Sequence, residues 1–247
     1  MSLSWQAPGF KFFRKVAALG TLYTACALAS LTEQKEGEFK SYVDQNLEKI
    51  IRKQEETLGI IYPKERPAIH YYIPSENVIV RGNYDQKTNE IFLLSDRYED
   101  PEWNFSIARD TLHHELAHYY MDKLSEEIAN ADYPQYGENT SLAEMLSIKL
   151  ISEGTATYIE RKMNGQKDTF TDHDWPKTMQ GFVLHQYIPY PKNEIIYDGG
   201  FHLVKPIIDQ YGKKGIKYLM FNPPKEGEML NLPLYQQRIL EELSELE

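Results

Sequence analysis

The run His113-His114-Glu115-Leu116-Ala117-His118 contains two histidines four residues apart, with a glutamate directly after the first. On an α-helix that spacing stacks His114 and His118 on one face, so both imidazoles can reach one ion. Neutral imidazole suits zinc, and a catalytic zinc keeps one position open for water. Glu115 then stands beside that water and can take its proton as zinc lowers the water's pKa toward about 7. Leu112, Leu116 and Ala117 supply the apolar neighbours that a buried metal helix needs.

Two histidines leave a catalytic zinc one protein ligand short. Position 124, six beyond His118, is leucine, so the longer pattern with a third histidine is absent. Glu153 is the better candidate. It sits mid-helix in Ile-Ser-Glu-Gly-Thr-Ala-Thr-Tyr, where an unpartnered carboxylate is costly to bury and a cation would offset that cost. Gly154 beside it lowers helix stability by about 1 kcal/mol against alanine, which is reasonable if this helix approaches another closely. Among the competitors, Glu144 is explained by a capping box with Ser141, and Glu160, two turns beyond Glu153, reads as a solvated face residue. His113 points about 100° away from the two motif histidines and reads as a core or supporting residue.

Together, His114, Glu115, His118 and Glu153 resemble the gluzincins, the thermolysin-like zinc metallopeptidases, in particular their small, minimally built members. The 35 positions from His118 to Glu153 are comfortable for that family, and the resemblance covers about residues 90–160. It implies Zn2+ on His114, His118 and Glu153, Glu115 as general base, and hydrolysis of peptide bonds in a peptide or protein substrate. It also implies a strand before the zinc helix, here Glu90 to Leu94, forming the cleft edge and pairing with extended substrate. Gluzincins usually add a Tyr or His donor for the oxyanion from the C-terminal part. Tyr197 and His202, flanking Gly199-Gly200, which would allow close backbone approach, are the candidates, with His185 and His173 behind them. Thr157 stands where many gluzincins carry an aspartate that orients a zinc histidine, and no aminopeptidase Gly-x-Met-Glu-Asn signature is present. Two rival readings are a non-catalytic zincin-like binding or scaffold domain of the cell envelope, against which the intact Glu115 argues, and an envelope-anchored structural protein in which the motif is accidental.

The elements that must position these residues can be read from periodicity. Phe39 to Leu58 has an apolar face and a stop at Gly59. Three short β-rich runs follow at Ala68 to Ile73, Val78 to Gly82 and Glu90 to Leu94, separated by turn chemistry at 74–77 and 83–89; hairpin-like connections favour a small antiparallel sheet. Asn104 can cap a zinc helix running to about Lys123. The Glu153 helix runs from Ser141 to about Met163, with Asn164-Gly165 as its stop. Beyond lie a helical stretch from Tyr197 to Gly212, a short continuation to Phe221, the breaker Pro223-Pro224, and an amphipathic helix from about Leu234. The expected class is α+β and zincin-like: a small antiparallel or mixed sheet packed on two site helices, with a mostly helical C-terminal part.

Composition narrows the remaining possibilities. The 247 residues, 41% hydrophobic and 26% charged, are ordinary for a globular chain. A net charge of −10 with no basic block argues against a nucleic-acid partner. The lone Cys26 excludes an internal disulfide and a cysteine zinc knuckle. Lys11, Arg14 and Lys15 precede the uncharged stretch Val16 to Thr32, which resembles the basic and apolar regions of an export signal, with Ala27-Leu28-Ala29 as a cleavage site. Tyr23-Thr24-Ala25-Cys26 loosely resembles a lipoprotein site. Residues 1–32 are therefore expected to be a signal peptide or membrane anchor, and residues 33–247 a single zincin-like domain that is secreted, periplasmic or anchored at the membrane. Asn104 and Asn139 begin glycosylation-type triplets, which matter only in a eukaryotic secretory pathway.

Overall fold

The computed structural model describes residues 34, 37–72, 82–94, 105–127, 142–166, 193–225, 227–229 and 231–246. The hydrophobic start at 16–32, the cap at Asn104, the capping-box residue Ser141 and the weaker candidates His173 and His185 lie outside these residues.

The first helix, α1, spans residues 37–58. Its buried face carries Phe39, Val43, Ile50, Ile51 and Leu58, the face anticipated from periodicity. It ends at Gly59, whose φ of 65° is the left-handed conformation glycine adopts at no steric cost, and whose N–H donates to the Glu55 carbonyl at 2.9 Å.

Three strands follow, β1 (Ala68–Tyr72), β2 (Gly82–Asp85) and β3 (Glu90–Leu94). They form one sheet in the order β1-β3-β2. β2 and β3 are antiparallel, but β1 runs parallel to β3, with Ile69 opposite Ile91 and Tyr71 opposite Leu93. The sheet is thus mixed rather than antiparallel. The expected second strand shares only Gly82 with β2, and 78–81 lie outside the described residues. The hairpin turn is confined to Gln86–Asn89, and Asn89 adopts φ 57°, which asparagine tolerates better than most residues. As the central strand, β3 buries Ile91 and Leu93 almost completely.

The zinc-motif helix, α2, spans Phe105–Glu127 and packs against β2, β3 and the next helix. It begins where expected and runs one turn further. It is buried on nearly every side: Leu112, Leu116, Ala117, Tyr119, Tyr120, Met121 and Leu124 are all in the core. A helix so enclosed must satisfy its polar residues internally. His113 does so against α1. Gln54, itself fully buried, donates to His113 Nδ1 at 2.9 Å and to the His113 carbonyl at 3.3 Å, and its own oxygen accepts from the Tyr62 hydroxyl. His113 is therefore a core residue joining α1 to α2, and burial depresses its pKa to about 4.

Helix α3 spans Leu142–Asn164 and stops at Gly165, with φ 63°. Helix α4 spans Asn193–Phe221 and breaks at Gly212 (φ 52°, ψ −131°), so the anticipated helix to Gly212 and its continuation are two pieces of one bent element. Helix α5 spans Leu232–Glu245, two residues earlier than expected, with a proline in its first turn. The most extensive helix contact is between α3 and α4, and it is glycine that permits it. A Cβ placed on Gly154 would lie 2.5 Å from the Gly200 oxygen and 2.6 Å from the Gly200 Cα. Gly154 therefore does serve a close helix approach, and the neighbour is α4. A single hydrophobic core draws on all five helices and on β1 and β3. The class is α+β, mostly helical, with a small three-stranded mixed sheet. Among the described residues, no helix is long and apolar enough to cross a membrane.

Candidate metal centre

Helices α2 and α3 run antiparallel where they meet: His114 faces Glu153 and Glu160, while His118 faces Ser152 and Glu153. This crossing assembles the site. His114 Nε2 lies 3.1 Å from Glu153 Oε2, His118 Nε2 lies 3.3 Å from the same oxygen, and the two Nε2 atoms are 3.2 Å apart. The triangle has the dimensions of one face of a tetrahedral metal site. Ligand bonds of about 2.0–2.1 Å at tetrahedral angles require ligand–ligand edges of about 3.3–3.4 Å. All three ligand atoms come from residues that are buried or nearly so.

A supporting hydrogen bond sets the tautomer of His114, whose Nδ1–H donates to Glu160 Oε2 at 3.0 Å, and His118 Nδ1 is hydrogen-bonded to the Ser152 hydroxyl at 3.2 Å. The Nε2 atoms of both rings and the Glu153 oxygen lie within 3.3 Å of one another, so a positive charge among them, a proton or a metal ion, is needed to hold the three together. Burial opposes a charge on His114, but Glu153 and Glu160 outweigh it and hold the imidazole's pKa up at about 10. Burial likewise pushes Glu153 toward its neutral form, and the two histidines reverse that, holding its carboxyl well below the usual range. The centre is built to hold positive charge, and His114, His118 and Glu153 can hold a metal ion.

Glu115 is only 5% exposed. Burial raises its pKa, partly countered by His118 and His114, and the Tyr84 backbone N–H donates to its carboxylate. A raised pKa is what a carboxylate needs to take up a proton near neutral pH. Its carboxylate lies against β2: a Cβ on Gly82 would fall 2.5 Å from Glu115 Oε1, so the strand can approach the base only because residue 82 has no side chain. Residues Gly82, Tyr84, His114, Glu115, Glu153 and Tyr197 are among those enclosing a cavity of about 430 Å³.

Of the two oxyanion candidates, Tyr197 is at this cleft. Its ring centroid lies 5.6 Å from that of His114. Burial, with the nearby carboxylates Glu153, Glu115 and Glu160, raises the phenol's pKa, so the group is a hydrogen-bond donor at neutral pH. His202 lies further along α4 and is not among the described residues lining the cleft; its carbonyl accepts from Gln236 of α5 at 3.3 Å. Glu144 is exposed and is not one of the three residues of the ligand triangle.

Three residues have roles that the sequence reading did not assign. Glu160 is no solvated face residue; it orients His114. Ser152 orients His118. Asp122, buried at 5% exposure, accepts from the Tyr84 hydroxyl at 2.8 Å and from the Gln86 side chain, tying β2 and its turn to α2. The phase of Glu160 with Glu153 was visible as a seven-residue spacing. Thr157 is buried, and its hydroxyl has no hydrogen-bond partner among the described residues; the carboxylate that accepts from His114 Nδ1–H is that of Glu160. The cleft edge also differs from expectation. β3 is hydrogen-bonded on both sides and has no free edge, whereas β2 pairs with β3 alone among the described residues and turns its other side to Glu115.

In comparisons with known proteins, no family model, no curated protein and no solved structure matches the chain.

Proposed function

We propose that this protein is a zinc-dependent peptidase of gluzincin type, with a zincin-like fold, in which His114, His118 and Glu153 hold the metal and Glu115 is the general base. The observation that carries the reading is the closed His114–His118–Glu153 triangle with a buried glutamate directly beside it. A purely structural cluster needs no proton acceptor whose pKa is raised in the lining of the same cavity.

Bound zinc supplies Lewis acidity, lowering the pKa of a water toward about 7 and polarising a carbonyl. The chain's own residues do the rest. Glu160 and Ser152 hold the two imidazoles with Nε2 free for the ion. Glu115, held by the Tyr84 N–H, accepts the proton of the attacking water and passes it to the leaving amine. Tyr197 O–H donates to the oxygen that gains negative charge. The outer edge of β2, at 82–85, offers its N–H and C=O groups other than the Tyr84 N–H, which Glu115 holds, to an extended peptide.

Glu115→Gln separates binding from catalysis, because it keeps size and polarity but removes the base. Zinc content is expected to stay at one per chain while peptide hydrolysis falls at least about 100-fold. Unchanged turnover in Glu115→Gln rejects the mechanism.

A further inference from the structure

The cleft continues past the metal-ligand triangle. Because α2 and α3 are antiparallel, the residues beyond His118 on α2 face those preceding Ser152 on α3, and Met121, Asp122 and Lys149 line this end. Lys149 stands one helical turn before Glu153, on the same face of α3. It is exposed, and it is the only lysine or arginine among the described residues enclosing the cavity.

Among the described residues, no carboxylate neutralises it. Asp122, across the cleft, already accepts from Tyr84 and Gln86 and lies 3.5 Å from Lys123 Nζ. Glu153 and Glu160 are engaged with the histidines, and Glu115 with the Tyr84 N–H. No described carboxylate pairs with Lys149. With a divalent cation on the triangle, the charges of the ion and Lys149 balance those of Glu115, Glu153 and Glu160, and the remaining carboxylate, Asp122, has its own cation in Lys123 at 3.5 Å. An anionic substrate group at this end therefore meets one free ammonium rather than a net negative wall, although the chain as a whole carries −10.

We propose that Lys149 is a specificity-determining residue that recognises a peptide carboxylate close to the scissile bond, so that the substrates are peptides with an acidic side chain or a free C-terminus on the side of the cleft opposite Tyr197. This rests on the peptidase reading for the reaction but not for the binding. A lysine ammonium is a point charge on a flexible stem, so it selects charge and not the geometry of the carboxylate. The two sources of that carboxylate, an Asp or Glu side chain and the chain terminus, are separated by peptide design.

The test uses a peptide series in which one Asp or Glu is moved through three positions on each side of the scissile bond. Every peptide is made with a free and an amidated C-terminus, and each is matched to an Asn or Gln control. Binding is read by fluorescence anisotropy on zinc-loaded Glu115→Gln protein, and cleavage on wild type. The acidic-to-neutral affinity ratio at the preferred position is expected to be about 5–30-fold, to fall to near one in Lys149→Met, and to invert toward lysine-bearing peptides in Lys149→Glu. Loss of the preference on amidation alone assigns the terminus; its survival assigns a side chain. A ratio that is the same in wild type, Lys149→Met and Lys149→Glu overturns the proposal, since any preference then comes from the metal. Charge-selective binding that depends on Lys149, without cleavage by wild type, sustains the proposal while rejecting the peptidase reading. Cleavage with no charge preference does the reverse.

Discussion

Gly154→Ala tests the architecture without relying on the metal. Alanine is the better helix former, and in an open helix the change would stabilise α3 by about 1 kcal/mol. Here the new methyl would lie 2.5–2.6 Å from the Gly200 oxygen and Cα, where ordinary contact begins near 3.4 Å. The atoms in the way are backbone and cannot rotate aside, so α3 and α4 must separate by about 1 Å. Overpacking of that kind costs about 1–3 kcal/mol beyond any propensity gain. For a domain of this size, each kcal/mol moves Tm by about 2–4 °C, so a fall of about 2–12 °C is expected in a thermal melt followed by circular dichroism. Gly200→Ala should behave alike, since its methyl would meet the Leu150 carbonyl at 2.5 Å. The double variant should cost less than the sum, because the first methyl already opens the gap that the second occupies. A Gly154→Ala protein that melts at or above the wild-type temperature refutes the close α3–α4 contact, and with it the placement of Tyr197 beside His114.

Three further outcomes follow from the site. Glu160→Gln removes the carboxylate that accepts from His114 Nδ1–H and should weaken zinc binding about 10–100-fold in a chelator-competition titration, whereas Glu144→Gln should not. Tyr197→Phe should keep its zinc and lose about 100–1,000-fold in kcat, the range for removing one oxyanion donor. His113 is neutral in the folded state down to about pH 4, against about 6.5 for a free histidine, so below 6.5 the unfolded chain binds a proton that the folded one refuses. Stability should therefore be unaffected by His113 above pH 6.5 and fall by up to about 3 kcal/mol as pH drops from 6.5 to 4. Urea unfolding of wild type against His113→Gln at each pH, both metal-stripped, isolates this slope.

The features legible in the sequence are those in which one helix carries its own geometry. The four-residue step from His114 to His118 puts two imidazoles on one face whatever surrounds them, and the isolated glutamate and glycine of the α3 pattern mark Glu153 as a carboxylate with a purpose. The features that were not legible depend on how elements meet. Glu160 looks like a surface residue until the antiparallel crossing of α2 and α3 brings it to His114 Nδ1. Asp122 lies beyond the motif, and its partners Tyr84 and Gln86 come from a strand and turn that pattern reading placed in a loop. That strand, Gly-Asn-Tyr-Asp, is made largely of poor β-formers; pairing with β3 and the tie to Asp122 override local preference. The direction of β1 was likewise hidden, because parallel and antiparallel strands share the same alternation.

The central claim is that three side chains from two antiparallel helices hold one metal ion. Metal content and affinity, measured by mass spectrometry and chelator competition on wild type, His114→Ala, His118→Ala and Glu153→Ala, test it directly. The account predicts one zinc per wild-type chain and a loss of at least about 100-fold in affinity for each variant, with X-ray absorption of the wild type showing two imidazoles and one carboxylate at about 2.0–2.1 Å. A wild-type protein without stoichiometric metal, or a Glu153→Ala protein that binds zinc as tightly as wild type, would contradict it.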